Sequence, residues 1–582
     1  MRPWHCKGGQ LVQERPKQSG NTQRRRQPHP QGPCSGRSHG FLGQAKVSQG
    51  SKTRYVRRCP EKTVLYRVVQ ENLRSFEDLC GLEGKPLPKH VTKEFDAFLR
   101  CGILAHGFLR FQCTGCNHER LVAFSCKKRG FCGSCGSRRM AESAIHLCDE
   151  VFPENVLVRQ WVLSMPTPLR YMCAKNSGLK DKILKLTNRV IAHAIKESVP
   201  HFEQDKVRKL EAGAVTLIQR FGGHVNLNIH FHMLHIQGAW EISTEPKGAD
   251  ANSKSQVLFR PANNPSDDVV TACVRKIAQG TLKILKRLRL VEKDESGHDV
   301  LTPTDDEDPL SDIQSASTQN KIARGERKGK AVRRLIEQFD EEVLVSEPKI
   351  TGPLVASYLG FSLHAAVVCP SQNKARLAQL VRYTARPAVA EERLSQKPNG
   401  DIHYKLKRPW SDGTTQVVFS ALEFLEKLAA LVPPPRIHLT RFHGILAPHS
   451  KFRALVVPKK MEAAQDQAPG SATCEHEKTL ALEGGLDANL PNGLKKRRIA
   501  WAKLLSHVFD IDMESCELCG RKMKAISAIM KLEVIIKILN HLGHPPRPPP
   551  ISTSRFAHQE DLWNSVKTPQ YDEFGNAINK LH

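Results

Sequence analysis

Two hydrophobic periodicities organise the chain. In VNLNIHFHMLH, Val225 to His235, the apolar residues Val225, Leu227, Ile229, Phe231 and Met233 alternate with Asn226, Asn228, His230 and His232, the period-two pattern of a half-buried strand. One face is apolar core, and His230 and His232 project together from the other. AGAVTLIQRF just before it predicts a second strand, and the intervening Gly222-Gly223 turn predicts antiparallel pairing. VLVRQWVLSMP predicts another strand. The 3.6-residue period governs other segments. Leu65, Val68, Val69, Leu73 and Phe76 predict a helix from Thr63, and VTKEFDAFLRCGIL, RRMAESAIHLCDEVF and DKILKLTNRVIAHAIKESV predict three more. NKARLAQLVRYTARP should be helical and stop before Pro387.

Patterning weakens elsewhere. Residues 1–58 include QRRRQPHPQGPCSGRSHG and have few aliphatic side chains, which predicts a disordered basic arm. Residues 241–347 are charged and Asp/Ser-rich around one helical island, VTACVRKIAQGTLKILKRLRLV, and read as an insertion. Residues 459–494 have linker composition, and 495–582 form a basic C-terminal segment containing KKRR and a cysteine pair. That leaves a helical, cysteine-rich N-terminal domain at 59–155 and a larger domain at 156–458 that carries the insertion.

Charge and cysteine content narrow the function. Among 582 residues, 88 Lys and Arg against 59 Asp and Glu leave a net charge of +29, which favours a polyanionic partner, most often nucleic acid. No apolar run is long enough to predict a membrane span, and the first residues lack the apolar core of a secretory signal. Seventeen cysteines in such a chain fit a reducing cytoplasm, and their clustering suggests metal binding.

The strongest chemical signal is CTGCNHERLVAFSCKKRGFCGSC. Cys113, Cys116, Cys132 and Cys135 form C-x2-C-x15-C-x2-C, four thiolates for one tetrahedral structural zinc. Cys126 and His118 are spare ligands in the same stretch. Lys127, Lys128, Arg129, Arg138 and Arg139 around it suit phosphate contacts. His230 and His232 could hold a divalent ion with coordination positions left open, and His224 and His235 thicken that cluster, His235 on the apolar-face parity. Tyr383, one of only seven tyrosines, lies between Arg382 and Arg386. A tyrosine there could attack phosphorus if a metal ion polarises the phosphate. At the C-terminus, Cys516 and Cys519 supply half a zinc site, to be completed by His541 and His544, by another part of the chain, or left without metal.

Together these motifs resemble the rolling-circle transposases of the HUH class, insertion-sequence-ninety-one type. The resemblance runs through LYRVVQENLRSF, FLRCGILAHGFLR, FSCKKRGFCGSCGSRRMAESAIHL, LNIHFHML, RYTARPAVAEERL, KLKRPWSDGTTQVVF and HLTRFHGILAPHSKFR, about residues 60–455 without the insertion. It implies an α+β fold: an HUH-type nuclease core with a mainly antiparallel sheet flanked by helices, an N-terminal zinc-binding module and a small C-terminal domain. The implied activity is a metal-dependent endonuclease and strand transferase that acts on single-stranded DNA at transposon ends and target. His230 and His232 would bind Mg or Mn, and Tyr383 would be the nucleophile. Founding members carry two tyrosines four residues apart, whereas Gln379 stands four residues before Tyr383 here. The sequence therefore resembles a single-tyrosine branch, with Gln379 and Asn228 as candidates for a third metal ligand. A non-catalytic zinc-containing DNA-binding protein, descended from a transposase, and an HUH replication initiator are the alternative readings.

Overall fold

The histidine strand lies in the middle of the largest sheet of this computed structural model. The structure describes residues 57–200, 209–243, 256–293, 308–336, 352–458 and 514–556, with short strand pieces at 6–7, 10–11, 53–54, 299–301 and 511–512. The expected arm at 1–58 and linker at 459–494, like the KKRR run and parts of the insertion, lie mostly outside the described residues. Residues 49–582 form one compact unit and residues 1–48 another; the sheet, the tyrosine helix and the cysteine-rich segments all belong to the larger unit.

In chain order its principal elements are α1 (Val64–Leu82), α2 (Lys89–Arg100), β1 (Phe108–Cys113), β2 (Glu119–Ala123) and α3 (Gly133–Glu150). Next come β3 (Leu157–Ser164), α4 (Thr167–Lys175), α5 (Ser177–Glu197), β4 (Gly213–Phe221), β5 (Leu227–Ile236), α6 (Asp267–Arg287) and α7 (Ser311–Thr318). The last are β6 (Val355–Tyr358), β7 (Phe361–Pro370), α8 (Lys374–Thr384), α9 (Ala421–Leu431), β8 (Thr440–Gly444), β9 (Met523–Ile529) and α10 (Leu532–His541).

The central sheet has the order β6-β7-β3-β5-β4-β8, and every neighbouring pair is antiparallel. The fold is α+β, with antiparallel sheets flanked by helices. Leu227, Ile229, Phe231 and Met233 on β5 are fully buried on one face. At roughly 1.5–3 kcal/mol for each large side chain buried, they contribute on the order of 6–12 kcal/mol of transfer free energy. A one-residue slip would turn all four outward, so the burial also fixes the register that presents the histidines. Val225 departs from the expected strand: it has a left-handed φ of 61° and belongs to the turn, and β5 begins at Leu227.

The charged insertion is built into the core. Helix α6 is capped by Ser266, whose side chain accepts from Val269 N–H, with Asp267 and Asp268 in its first turn, where the helix dipole favours acids. Val270, Val274, Ile277 and Leu285 are buried on the face that joins the main core. Residues 323–324 are clasped by α9: the Glu426 carboxylate accepts from the backbone N–H groups of Ala323 and Arg324 at 2.9 and 3.0 Å and pairs with Lys427 at 2.8 Å.

The C-terminal segment, expected as a small domain of its own, adds its strand to the N-terminal module. Strand β9 pairs antiparallel with β1, which pairs with β2, in a three-stranded sheet. Farther on, Arg555 donates to Asn72 at 2.8 Å and Gln70 donates to the Pro550 carbonyl at 2.6 Å, so the segment continues over α1. The edge of β1 offers a ladder of backbone groups, and β9 satisfies it.

Candidate metal and nucleophile site

Register brings polar side chains from four strands to one face of the central sheet. His230 lies opposite Ser164 on β3 and Gln219 on β4, and His232 opposite Val162 and Leu217. His364 on β7 lies opposite Val162 in the same row. Directly opposed residues share a face, so these positions surround a single cleft. It has a volume of about 610 Å³ and is lined by Gln160, Gln219, Asn228, His230, His232 and His364 from the sheet, and by Arg376, Gln379, Tyr383 and Arg386 from α8 and the turn after it.

Helix α8 forms the other wall because its sequence is amphipathic and sharply capped. The Asn373 side chain accepts from Arg376 N–H at its start, and it ends at Thr384, before Pro387 as expected. Leu377 and Val381 are buried in a core under the sheet. Gln379 and Tyr383, one turn apart, share the face that borders the cleft. Gln219 holds the end of this helix: its Nε2 donates to the Thr384 carbonyl at 2.6 Å and lies 3.4 Å from that of Tyr383.

The two histidines differ in what orients them. Their rings are 4.9 Å apart, and the Tyr383 ring stands edge-on to His232 at 6.1 Å. His230 Nδ1 is 3.0 Å from the Asn228 carbonyl, an acceptor, so Nδ1 carries the proton and Nε2 the lone pair. Gln160 Nε2 lies 2.8 Å from His232 Nδ1 and donates to it, which puts the proton of the neutral ring on Nε2. A flip of the Gln160 amide, bringing its oxygen to the ring, moves that proton to Nδ1 and frees Nε2 for a metal ion. Burial first, then nearby Arg386 and Arg170, lowers His230 to about 4 against the gain from the Asn228 carbonyl. Burial, His230 and Arg386 lower His232 to about 3. Both are therefore neutral at neutral pH, as metal ligation requires. Asn228 Oδ1 is buried without a hydrogen-bond partner among the described residues, so its lone pairs are open to a donor or to a cation. These residues fit a divalent ion.

Tyr383 remains 48% exposed and is flanked by cations, Arg386 at 5.6 Å and Lys407 Nζ at 5.5 Å from its ring centre. The other two histidines of the stretch point elsewhere. His224 bonds Asn320 at 2.6 Å, and His235 is buried in the opposite face without a hydrogen-bond partner among the described residues, as its parity implies.

The cysteines are divided differently from the expected single C-x2-C-x15-C-x2-C site. Cys132 and Cys135, at the start of α3, join Cys101 and Cys126, and Cys113 and Cys116 join Cys516 and Cys519. Within each group the sulfurs lie within 4.8 Å of one another. The physical reason is the β1-β2 hairpin: Cys113 ends β1 at the turn, whereas Cys126 follows β2 at the other end, beside Cys101. Spacing alone gave four ligands and no reason to look further. Six cysteines between residues 101 and 135 and the distant pair at 516 and 519 make two complete tetrahedral sets, and that count was the available signal for Cys101. His118 bonds Glu517 at 2.7 Å, and His541 is in α10; neither belongs to a cysteine group.

Comparison with protein families decides the kinship. The transposase zinc-binding domain matches residues 68–165, and a transposase family model, Y2_Tnp, matches residues 213–453. The chain belongs to the IS91-type transposases. No curated protein and no solved structure matches it. An IS91-type transposase acts on DNA, and the excess of Lys and Arg suits that substrate. The zinc-binding match and the two cysteine groups support structural zinc. Among the described residues no helix is long and apolar enough to cross a membrane. Within this transposase, sequence reasoning passes over Gln160, Gln219, His364 and Lys407. Isolated amides, a histidine and a lysine carry no motif; sheet register places Gln160, Gln219 and His364 at the cleft, and Lys407 meets the Tyr383 ring from outside the central sheet.

The zinc-binding region also touches the tyrosine helix. Helix α3 starts at Cys132 and Cys135 and runs along α8: Lys374 Nζ bonds the Cys148 carbonyl at 2.5 Å. A Cβ at Gly136 would fall 2.7 Å from that of Pro387, four residues beyond Tyr383.

Proposed function

We propose that this transposase nicks and rejoins single-stranded DNA through a phosphotyrosine intermediate, as in rolling-circle transposition. The observation that carries the reading is the meeting of Tyr383 with His230 and His232 in one cleft, from elements about 150 residues apart in sequence. His230 and His232 would hold Mg or Mn through Nε2, with Asn228 and Gln379 as candidates for the third position; the ion supplies charge that polarises the scissile phosphate. The Tyr383 hydroxyl gives up its proton and its oxygen attacks phosphorus. The P–O3′ bond breaks, the 3′ oxygen takes a proton, and a 5′-phosphotyrosine and a free 3′-hydroxyl result. Attack by another 3′-hydroxyl reverses these bond changes and frees Tyr383, so the link conserves the phosphodiester energy. Arg386 and Lys407 beside the tyrosine offset the charge that builds on the phosphate.

Gln379 occupies the position one turn before Tyr383, where a second tyrosine would stand. Each subunit therefore forms one covalent link at a time. The experiment is incubation with Mn and single-stranded oligonucleotides from the ends of the element. Wild-type protein should yield a denaturant-stable adduct, and Tyr383→Phe and His230→Ala/His232→Ala should not. An adduct that survives in Tyr383→Phe overturns the nucleophile assignment.

A further inference from the structure

Cys113-Thr-Gly-Cys116-Asn117 and Cys516-Glu-Leu-Cys519-Gly520 lie at distant points of the chain yet have the same local conformation. In each, the N–H of the first cysteine bonds the carbonyl five residues on: Cys113 to His118 at 2.8 Å and Cys516 to Arg521 at 2.7 Å. In each, the N–H two residues on points at the first sulfur: Gly115 to Cys113 Sγ at 3.3 Å and Leu518 to Cys516 Sγ at 3.4 Å. The residue after the second cysteine is left-handed in both, Asn117 with φ 59° and Gly520 with φ 72°, conformations that Asn and Gly adopt at least cost. Such a loop turns both sulfurs to one side and neutralises part of the thiolate charge with backbone N–H groups.

The two loops face each other. Cys113 Sγ is 3.3 Å from Cys519 Sγ, and Cys116 Sγ is 3.5 Å from Cys516 Sγ. A tetrahedral ion with Zn–S bonds of about 2.3 Å separates its sulfurs by ~3.8 Å, close to this spacing. His118 and Glu517 pair across the junction at 2.7 Å. The Thr114 N–H bonds the Lys522 carbonyl at 3.1 Å, and a Cβ at Gly115 would fall 2.2 Å from Arg521 Cδ. Four thiolates with no carboxylate or imidazole among them select zinc over magnesium or manganese.

We infer that Cys113, Cys116, Cys516 and Cys519 bind a second structural zinc ion that fastens residues 514–529 to the N-terminal zinc-binding module. That module is therefore assembled from both ends of the described chain. The ion closes a loop of about 400 residues, from Cys116 to Cys516, and strand β9 completes the sheet beside it. Its exposure distinguishes it from the first site: Cys116 and Cys519 are exposed, whereas Cys101, Cys132 and Cys135 are buried. The second ion should thus leave first when a chelator is added.

Full-length protein purified without chelator should contain two zinc ions per chain by elemental mass spectrometry and lose them in two phases to a chromogenic chelator. Cys516→Ser/Cys519→Ser should contain one ion and lack the fast phase. In a second measurement, a protease site introduced between residues 459 and 510 is cut in the zinc-loaded protein. The C-terminal fragment should remain bound and be released by chelator. One ion per wild-type chain, two ions retained in the double variant, or fragment retention indifferent to chelator overturns the inference.

Discussion

Gln219→Leu should slow formation of the covalent DNA adduct while leaving DNA affinity intact. Gln219 is 4% exposed, and its amide donates to the Thr384 carbonyl at 2.6 Å. That carbonyl belongs to the last turn of α8 and has no partner inside the helix. Leucine keeps most of the side-chain volume but removes the donor, which leaves a buried carbonyl unpaired at a cost of about 1–3 kcal/mol. The last turn relieves the cost by moving, and Tyr383 moves with it. A displacement near 1 Å at a reacting group costs up to roughly 100-fold in rate, and 1–3 kcal/mol of lost positioning amounts to about 5–150-fold. Quenched time courses with a single-stranded oligonucleotide and Mn should therefore show an adduct that forms roughly 10–100-fold more slowly. Fluorescence anisotropy on the same oligonucleotide should give an unchanged Kd. A wild-type rate refutes the positioning role; a Kd that weakens in proportion to the rate assigns Gln219 to binding instead.

Other perturbations separate the structural elements. Gly136→Val should wedge α3 away from Pro387 and slow adduct formation by roughly tenfold or more, with zinc content unchanged by elemental analysis. Burial, and then His443, lowers His235 to about 3, so the native state resists a proton that the unfolded chain takes up near 6.5. That contribution to stability is complete above pH 6.5 and is lost as pH falls toward 3. His235→Leu should flatten the acid limb of a urea-denaturation series, and an unchanged pH profile would count against it. Glu426→Ala should destabilise by about 3–5 kcal/mol in urea titrations, since the Ala323 and Arg324 N–H groups lose their acceptor and buried Lys427 keeps the Lys321 carbonyl but loses its charged partner.

How much could be read from the sequence depended on the range of the interactions. The alternation in LNIHFHML placed His230 and His232 on one strand face because side-chain direction repeats every two residues. The end of α8 was legible because Pro387 restricts the backbone before it. Partners across the sheet were not legible: Gln160, Gln219 and His364 reach the cleft through register among β3, β4, β5 and β7, which no local pattern encodes. The charged residues at 241–347 concealed the depth to which α6 is buried, since Val270, Val274 and Ile277 are core residues despite their polar surroundings. The cysteines failed in the same way. C-x2-C spacing describes a local turn correctly, but the choice of which two turns share an ion is tertiary.

The most direct test of the central proposal is tandem mass spectrometry of the protein–DNA adduct after nuclease and trypsin digestion. Trypsin cuts after Arg382, and Pro387 protects the bond after Arg386, so Tyr383 lies in the peptide of residues 383–393. The predicted product is a nucleotide joined through its 5′ phosphate to Tyr383 in that peptide, formed only with divalent metal and absent from His230→Ala/His232→Ala. A nucleotide on any other residue, or an adduct equally abundant without the histidines, contradicts it.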